Sequence, residues 1–124
     1  MNNLPFKSVL SITQGIFYLG TGLWPFISAS SFQKVTGPKV DFWLVKTVGV
    51  LVSVIGGVLI SAGLRRKQNI EVPMLAVGSA SGLAGIDIAY VARKRISPVY
   101  LVDALAETIL VVLWALALIK EPEV

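Results

Sequence analysis

The sequence predicts an all-α polytopic membrane protein, an antiparallel bundle of four transmembrane helices forming one domain over residues 1–124. Three observations carry this expectation. Four long apolar runs each approach the ~20 residues that cross a bilayer. They lift the hydrophobic content to 55%, far above that of a soluble chain of 124 residues. All 6 prolines fall at run ends or in the C-terminal tail, where a residue with a fixed φ and no N–H interrupts no helix.

Composition narrows the function classes. The net charge of +4 sits mostly beside the apolar runs, so it reads as membrane-flanking charge and not as a nucleic-acid surface. With 0 Cys and 0 His, disulfides, thiol catalysis and iron–sulfur ligation are excluded, and a zinc or haem site is disfavoured. No metal or cofactor is expected. The expected location is a cell membrane, a bacterial inner membrane, crossed several times and surrounded by lipid.

The first run covers residues 6–24. Pro5 suits its start, and Trp24-Pro25 is expected to close it. Ser11, Gln14, Tyr18 and Thr21 recur at helical spacing and share one face. They read either as interhelical hydrogen bonding, with Gln14 as the bridge, or as the wall of a polar cavity. A cleaved leader ending at Ser28-Ala29-Ser30 is the lesser reading, because one Lys precedes an interrupted apolar stretch. Residues 27–40 read as a loop whose Thr36 or Gly37 caps the next helix. Its Phe32 and Val35 are free either to dip into the membrane interface or to fold over the bundle as a lid.

The second run, 41–64, contains Gly49, Ser53, Gly57 and Ser61, a small-residue series that lets another helix approach. Lys46 lies ~7 Å inside it, with Trp43 on the same side. Lys46 read by itself is a snorkelling lysine. The third run, 72–91, carries Gly78 and Gly82, whose spacing suits packing within the bundle or dimerisation. Asp87 and Tyr90 share a face near its end. After a basic turn at Arg93-Lys94-Arg95, Ser97-Pro98 forms a start signal for the fourth run, 98–119. Tyr100, Asp103 and Glu107 recur there on one face.

Alternating direction brings these polar residues to one level. Measured from the side holding the 27–40 and 92–97 loops, Asp87 and Asp103 lie ~9 Å deep and Glu107 ~15 Å deep. Acids inside a membrane span are expensive and mark function by default. The expectation is a polar pocket in one half of the bundle. Asp87, Asp103, Glu107 and Lys46 would be its acid–base groups, and Gln14, Tyr18, Trp43, Tyr90 and Tyr100 would line it. Because three acids face one ammonium, at least one acid, Glu107 first, is expected to keep its proton. A register-fixing ion pair from Lys46 to Asp87 or Asp103 is the structural alternative. Lys7, Arg65, Arg66, Lys67 and Lys120 balance Lys34, Lys39, Arg93, Lys94 and Arg95, so charge does not set orientation. Insertion both ways, with an antiparallel homodimer, is one consequence.

The segment FQKVTGPKVDFWLVKTVG at 32–49, with Asp87-Ile88-Ala89-Tyr90 and Tyr100-Leu101-Val102-Asp103, resembles a family of small bacterial four-helix membrane proteins with which no activity is associated. In topology the chain is similar to DoxX-like proteins and to small multidrug transporters. Where the transporters keep a Glu in the first span, Gln14 stands here. Sterol-isomerase-like bundles also hold membrane acids, but their His has no counterpart. Three functions follow as expectations: a pocket that binds or converts a lipid-soluble or amphiphilic small molecule by acid–base chemistry, a small proton- or cation-coupled transporter, or an accessory subunit of a membrane complex. Whether the protein is an enzyme stays open among them.

Overall fold

A computed structural model describes residues 4–65 and 69–121. The chain is all-α, with α1 Phe6–Ile27, α2 Ala29–Thr36, α3 Phe42–Arg65, α4 Glu71–Ala92 and α5 Tyr100–Lys120. The four long helices coincide with the four apolar runs to within three residues at either end. Three of them, α3, α4 and α5, are long and apolar enough to cross a membrane. With 22 residues, α1 equals α4 in length, but Lys7, Ser8, Ser11 and Gln14 dilute it, and all four are buried. Arg66 and Lys67 of the expected basic flank, and Pro122 and Glu123 of the tail, lie outside the described residues.

α1 packs mainly along α3, and α4 along α5; α1 joins the pairs through lighter contacts with α5 and α4. The α1–α3 seam is the tightest. A Cβ placed on Gly15 would lie 2.6 Å from the Gly56 carbonyl oxygen, and one on Gly49 would lie 2.6 Å from that of Gly22. A Cβ on Gly63 would meet the Ser8 oxygen at 2.8 Å. Small residues therefore recur every seven positions on both helices: Ser8, Gly15 and Gly22 oppose Gly63, Gly56 and Gly49 in antiparallel order. Backbones at this distance gain dispersion contacts that larger side chains would forbid. The repeat that matters is thus seven and not the expected four, because a seven-residue step keeps one edge of a helix against its neighbour. Gly57 of the expected series lies off the seam, with open space around it. Gly78 and Gly82 also face outward. The packing stripe of α4 is Ala76, Ala80 and Ala84, continued by Asp87. That of α5 is Ala104, Glu107, Leu110, Trp114 and Ala117.

The ends of the helices are tied by polar contacts. Glu121, just past α5, accepts hydrogen bonds from the backbone N–H groups of Phe6 (2.8 Å) and Lys7 (3.1 Å). Free N–H groups at a helix start attract an anion, so this carboxylate caps α1. It also holds the α1 start beside the α5 end. At the other end, α4 stops in a Schellman turn: Arg95 N–H donates to Tyr90 O, Lys94 N–H donates to Val91 O, and Lys94 takes φ 59°.

Two local expectations are corrected here. Pro25 does not end α1; it lies inside the last turn, and the Ser28 N–H still reaches Trp24 O at 2.9 Å. A missing N–H three residues from a helix end removes one bond and leaves the remainder intact. Residues 27–40 are not all loop, since eight of them form α2. Ser28 caps α2 by accepting from the Ser31 N–H at 3.2 Å, and Gly37 ends it at φ 98°. Thr36 belongs to α2 and bonds back to Phe32 O, so it does not cap α3.

The seam makes a prediction with opposite signs at adjacent positions. Gly56→Ala must push the two backbones apart and lower stability by roughly 1–3 kcal/mol. Gly57→Ala meets no atom and gains roughly 0.5–1 kcal/mol of helix propensity. Thermal unfolding of the two purified variants in one detergent checks this; equal midpoints contradict the seam.

Candidate functional site

A cavity of about 350 Å³ lies at the α2 end of the protein, lined by residues of all five helices. Its polar lining is Tyr18, Thr21, Asp87, Tyr100, Asp103 and Glu107. α3 contributes Leu44, Val45, Val48 and Val52, an apolar wall. Glu107 is 1% exposed and Asp87 6%, because both continue the inward alanine stripes of their helices. Asp103 is half-buried and lies beside both Asp87 and Glu107. An ionised carboxylate only accepts, so any hydrogen bond between two carboxyls needs a proton between them. Asp87 keeps one oxygen, Oδ2, buried and without a hydrogen-bond partner.

Buried hydrogen bonds lie directly behind these acids. Trp114 Nε1–H can only donate, and it does so to Gln14 Oε1 at 2.8 Å. That orients the Gln14 amide, so its Nε2–H group donates to Ala76 O at 3.0 Å. The same side chain lies within reach of the Tyr18 hydroxyl. Tyr18 O–H in turn donates to Glu107 Oε1 at 2.7 Å. Oε1 is therefore an acceptor, and a proton carried by Glu107 belongs on Oε2. Trp114, which cannot accept, fixes the orientation of the Gln14 amide.

α2 closes the end of the cavity. Phe32 folds inward against Trp24 (centroids 5.3 Å, 85°) and Phe42 (6.1 Å, 73°), and the Trp24 Nε1–H donates to Ser31 Oγ at 2.9 Å. Val35 stays exposed. Lys39 fastens this cap. Its ammonium donates to Thr36 O, Thr36 Oγ1 and Gly37 O at 2.9, 3.1 and 2.8 Å, and it lies over the rings of Phe32 and Tyr100 at 5.8 and 5.4 Å. Burial pushes the Lys39 pKa down from the ordinary lysine value, while the three acceptors and two ring faces favour its charge. The Tyr100 hydroxyl lies near the Thr36 side chain.

Of the residues expected at the pocket, Tyr18, Asp87, Tyr100, Asp103 and Glu107 are brought together. Lys46, Trp43, Tyr90 and Gln14 do not line it. Lys46 is exposed and lies over the Phe26 and Phe42 rings at 5.8 and 5.9 Å. The reason is the glycine seam. At about 100° per residue, Val45, Val48 and Val52 fall on one flank of Gly49, whereas Lys46 and Trp43 fall on the other. Trp43 is accordingly 65% exposed. Tyr90 lies at the surface under Arg93. Gln14 sits one step behind the cavity, bridging helices. Among the described residues no basic side chain lines the cavity, and no group of His, Cys, Asp and Glu is disposed to hold a metal ion.

Sequence reasoning left Phe32 open between the membrane interface and a lid, and missed Lys39 as a fastening and Trp114 as the anchor of Gln14. Signals for two of these existed. Ser28 and Gly37 bracket a short helix, and a Trp deep inside an apolar run needs an acceptor for its N–H. Comparison with protein families, with curated proteins and with solved structures finds no match for this chain.

The geometry separates residues of the same type. Tyr18→Phe strips Glu107 of its buried donor and lowers stability by roughly 1–3 kcal/mol. Tyr90→Phe, at the surface, stays within about 0.5 kcal/mol of the parent. Unfolding midpoints in detergent, compared with the parent protein, check both values.

Proposed function

We propose that the protein is a multi-pass membrane protein in which α1 crosses the bilayer alongside α3, α4 and α5, and that its cavity binds or converts an amphiphilic small molecule by acid–base chemistry. One observation carries this reading: carboxyls from two helices and a tyrosine from a third converge on a cavity that includes a buried, unpaired Asp87 oxygen. Acids kept solely to fix helix register would be expected to face a cation, and Lys46 is turned away from them. The polar face of α1 also supports a fourth span, since Ser11 donates to Leu59 O and Gln14 to Ala76 O, both inside the protein. A helix whose polar groups are satisfied by its neighbours is compatible with hydrocarbon surroundings.

The chemistry available is proton transfer. Glu107 Oε2 and the Asp103 and Asp87 carboxyls can pass a proton to a bound molecule or take one from it. Tyr18 holds Glu107 in place from behind, and the apolar α3 wall keeps water away from an isomerisation, hydration or cyclisation.

Glu107→Gln keeps the size of the side chain and the Tyr18 hydrogen bond but removes the acid. Protein extracted into lipid nanodiscs and analysed by native mass spectrometry is expected to retain an amphiphile in the parent form. In the variant that occupancy should fall at least about tenfold, with an unchanged circular dichroism spectrum. Equal occupancy in both forms counts against an acid-dependent site. Higher stability of the variant with no ligand in either form returns the acids to a structural role.

A further inference from the structure

We infer that the cavity takes the head of a cationic amphiphile, an amine or quaternary ammonium on an apolar chain, which reaches it sideways between α3 and α4. The inference rests on the pocket reading above and names the chemistry of its occupant.

Charge is the first argument. The ionisable groups facing the cavity are Tyr18 from α1, Asp87 from α4, and Tyr100, Asp103 and Glu107 from α5, while the α3 wall has none. No basic side chain is among them. Lys39, the cation nearest its end, directs its ammonium at Thr36 O, Thr36 Oγ1 and Gly37 O. An ammonium has three N–H donors, so this group is spent within the cap. An anionic head would meet no cation there and would be repelled by every ionised carboxyl; a cationic head neutralises them.

The second argument is the orphaned oxygen. Asp87 is 6% exposed, lines the cavity and leaves Oδ2 with no partner. A buried carboxyl oxygen without a donor is costly. A bound cation or N–H donor removes that cost, whereas an apolar head does not. The aromatic walls fit the same guest, since Phe32 and Tyr100 already accept one cation, Lys39, near their rings.

The third argument concerns the route. α3 and α4 touch sparsely, and the wall residues Leu44 and Val48 are 47% and 53% exposed. α3 and α4 are both apolar enough to cross a membrane, so a gap between them opens toward lipid chains. At about 350 Å³ the cavity lies at the low end for a ligand site. It holds a head group and the first carbons, and the chain leaves through the gap.

Three probes differing only in the head test this on full-length protein in nanodiscs of zwitterionic lipid: decyltrimethylammonium, its uncharged carbon isostere with a tert-butyl head, and decyl sulfate. Saturable binding is read by native mass spectrometry. The expected result is that the cation binds at least about tenfold tighter than the isostere, with no saturable sulfate binding. Asp87→Asn should cut cation affinity about tenfold while changing isostere affinity by less than about twofold. Asp103→Asn, at a half-buried position, should move affinity the same way and serves if the Asp87 variant does not fold. Val48→Trp fills the gap and should weaken the cation and the isostere together. If the isostere or the sulfate binds as well as the cation, the charge assignment fails while the pocket stands. If none of the probes binds saturably, the pocket reading fails with it. If Val48→Trp leaves cation binding unchanged, the lateral route is wrong.

Discussion

The Tyr18–Glu107 hydrogen bond is the contact on which the remaining structure turns. It is the one side-chain hydrogen bond described between the acid cluster and the α1–α3 half of the protein. Its donor lies beside Gln14, and Gln14 is held by Trp114. Each member is 0 or 1% exposed, so water cannot substitute for a lost partner. In such a setting a polar group must find its complement within the protein, and the helices are positioned by that requirement as much as by apolar packing.

α1 can serve both halves because its two faces use different forces. On one face, glycines let its backbone nearly touch α3, and this packing needs no polar group. The other face is then free to carry Gln14 and Tyr18 toward α4 and α5. Lys7, Ser8, Ser11, Gln14 and Tyr18 of this helix are buried, and only the hydroxyls of Thr13 and Thr21 lie among its exposed residues. Ordinary amphipathic logic is thereby inverted: the polar stripe faces the protein and the apolar residues Val9, Ile16 and Leu23 face outward.

The cavity exists because the two pairs of helices meet unevenly. Gln14, Trp114 and Ala76 close the middle of the protein. α3 and α4 touch only sparsely, and the cavity toward α2 is lined by both. Asp87, Asp103 and Glu107 occupy that space on the α4–α5 side, with valines and a leucine opposite. α2 and the Lys39 contacts shut the end, leaving the side between α3 and α4 as the way in. A pocket with acids on one wall, hydrocarbon on the other and a lateral gap is shaped for a molecule with one charged end.

Much of this was legible in the chain. Apolar runs and proline positions marked the four long helices, because hydrocarbon burial and the missing proline N–H act locally. Helical rise put Asp87, Asp103 and Glu107 at neighbouring depths, and helical period put each acid on the same face as its neighbours. The rotation of α3 was not legible. Gly49, Ser53 and Gly57 looked equivalent as small residues, and only the actual approach of α1 selected Gly49, Gly56 and Gly63. That choice turned Lys46 and Trp43 away from the acids and brought the valines toward them. Sequence by itself determined which residues are helical, which are apolar and how far along its helix each acid lies, since those follow from backbone geometry and transfer energies residue by residue. Tertiary structure alone decided which side of each helix meets which neighbour, because a helix is free to rotate about its axis until a partner's surface locks it.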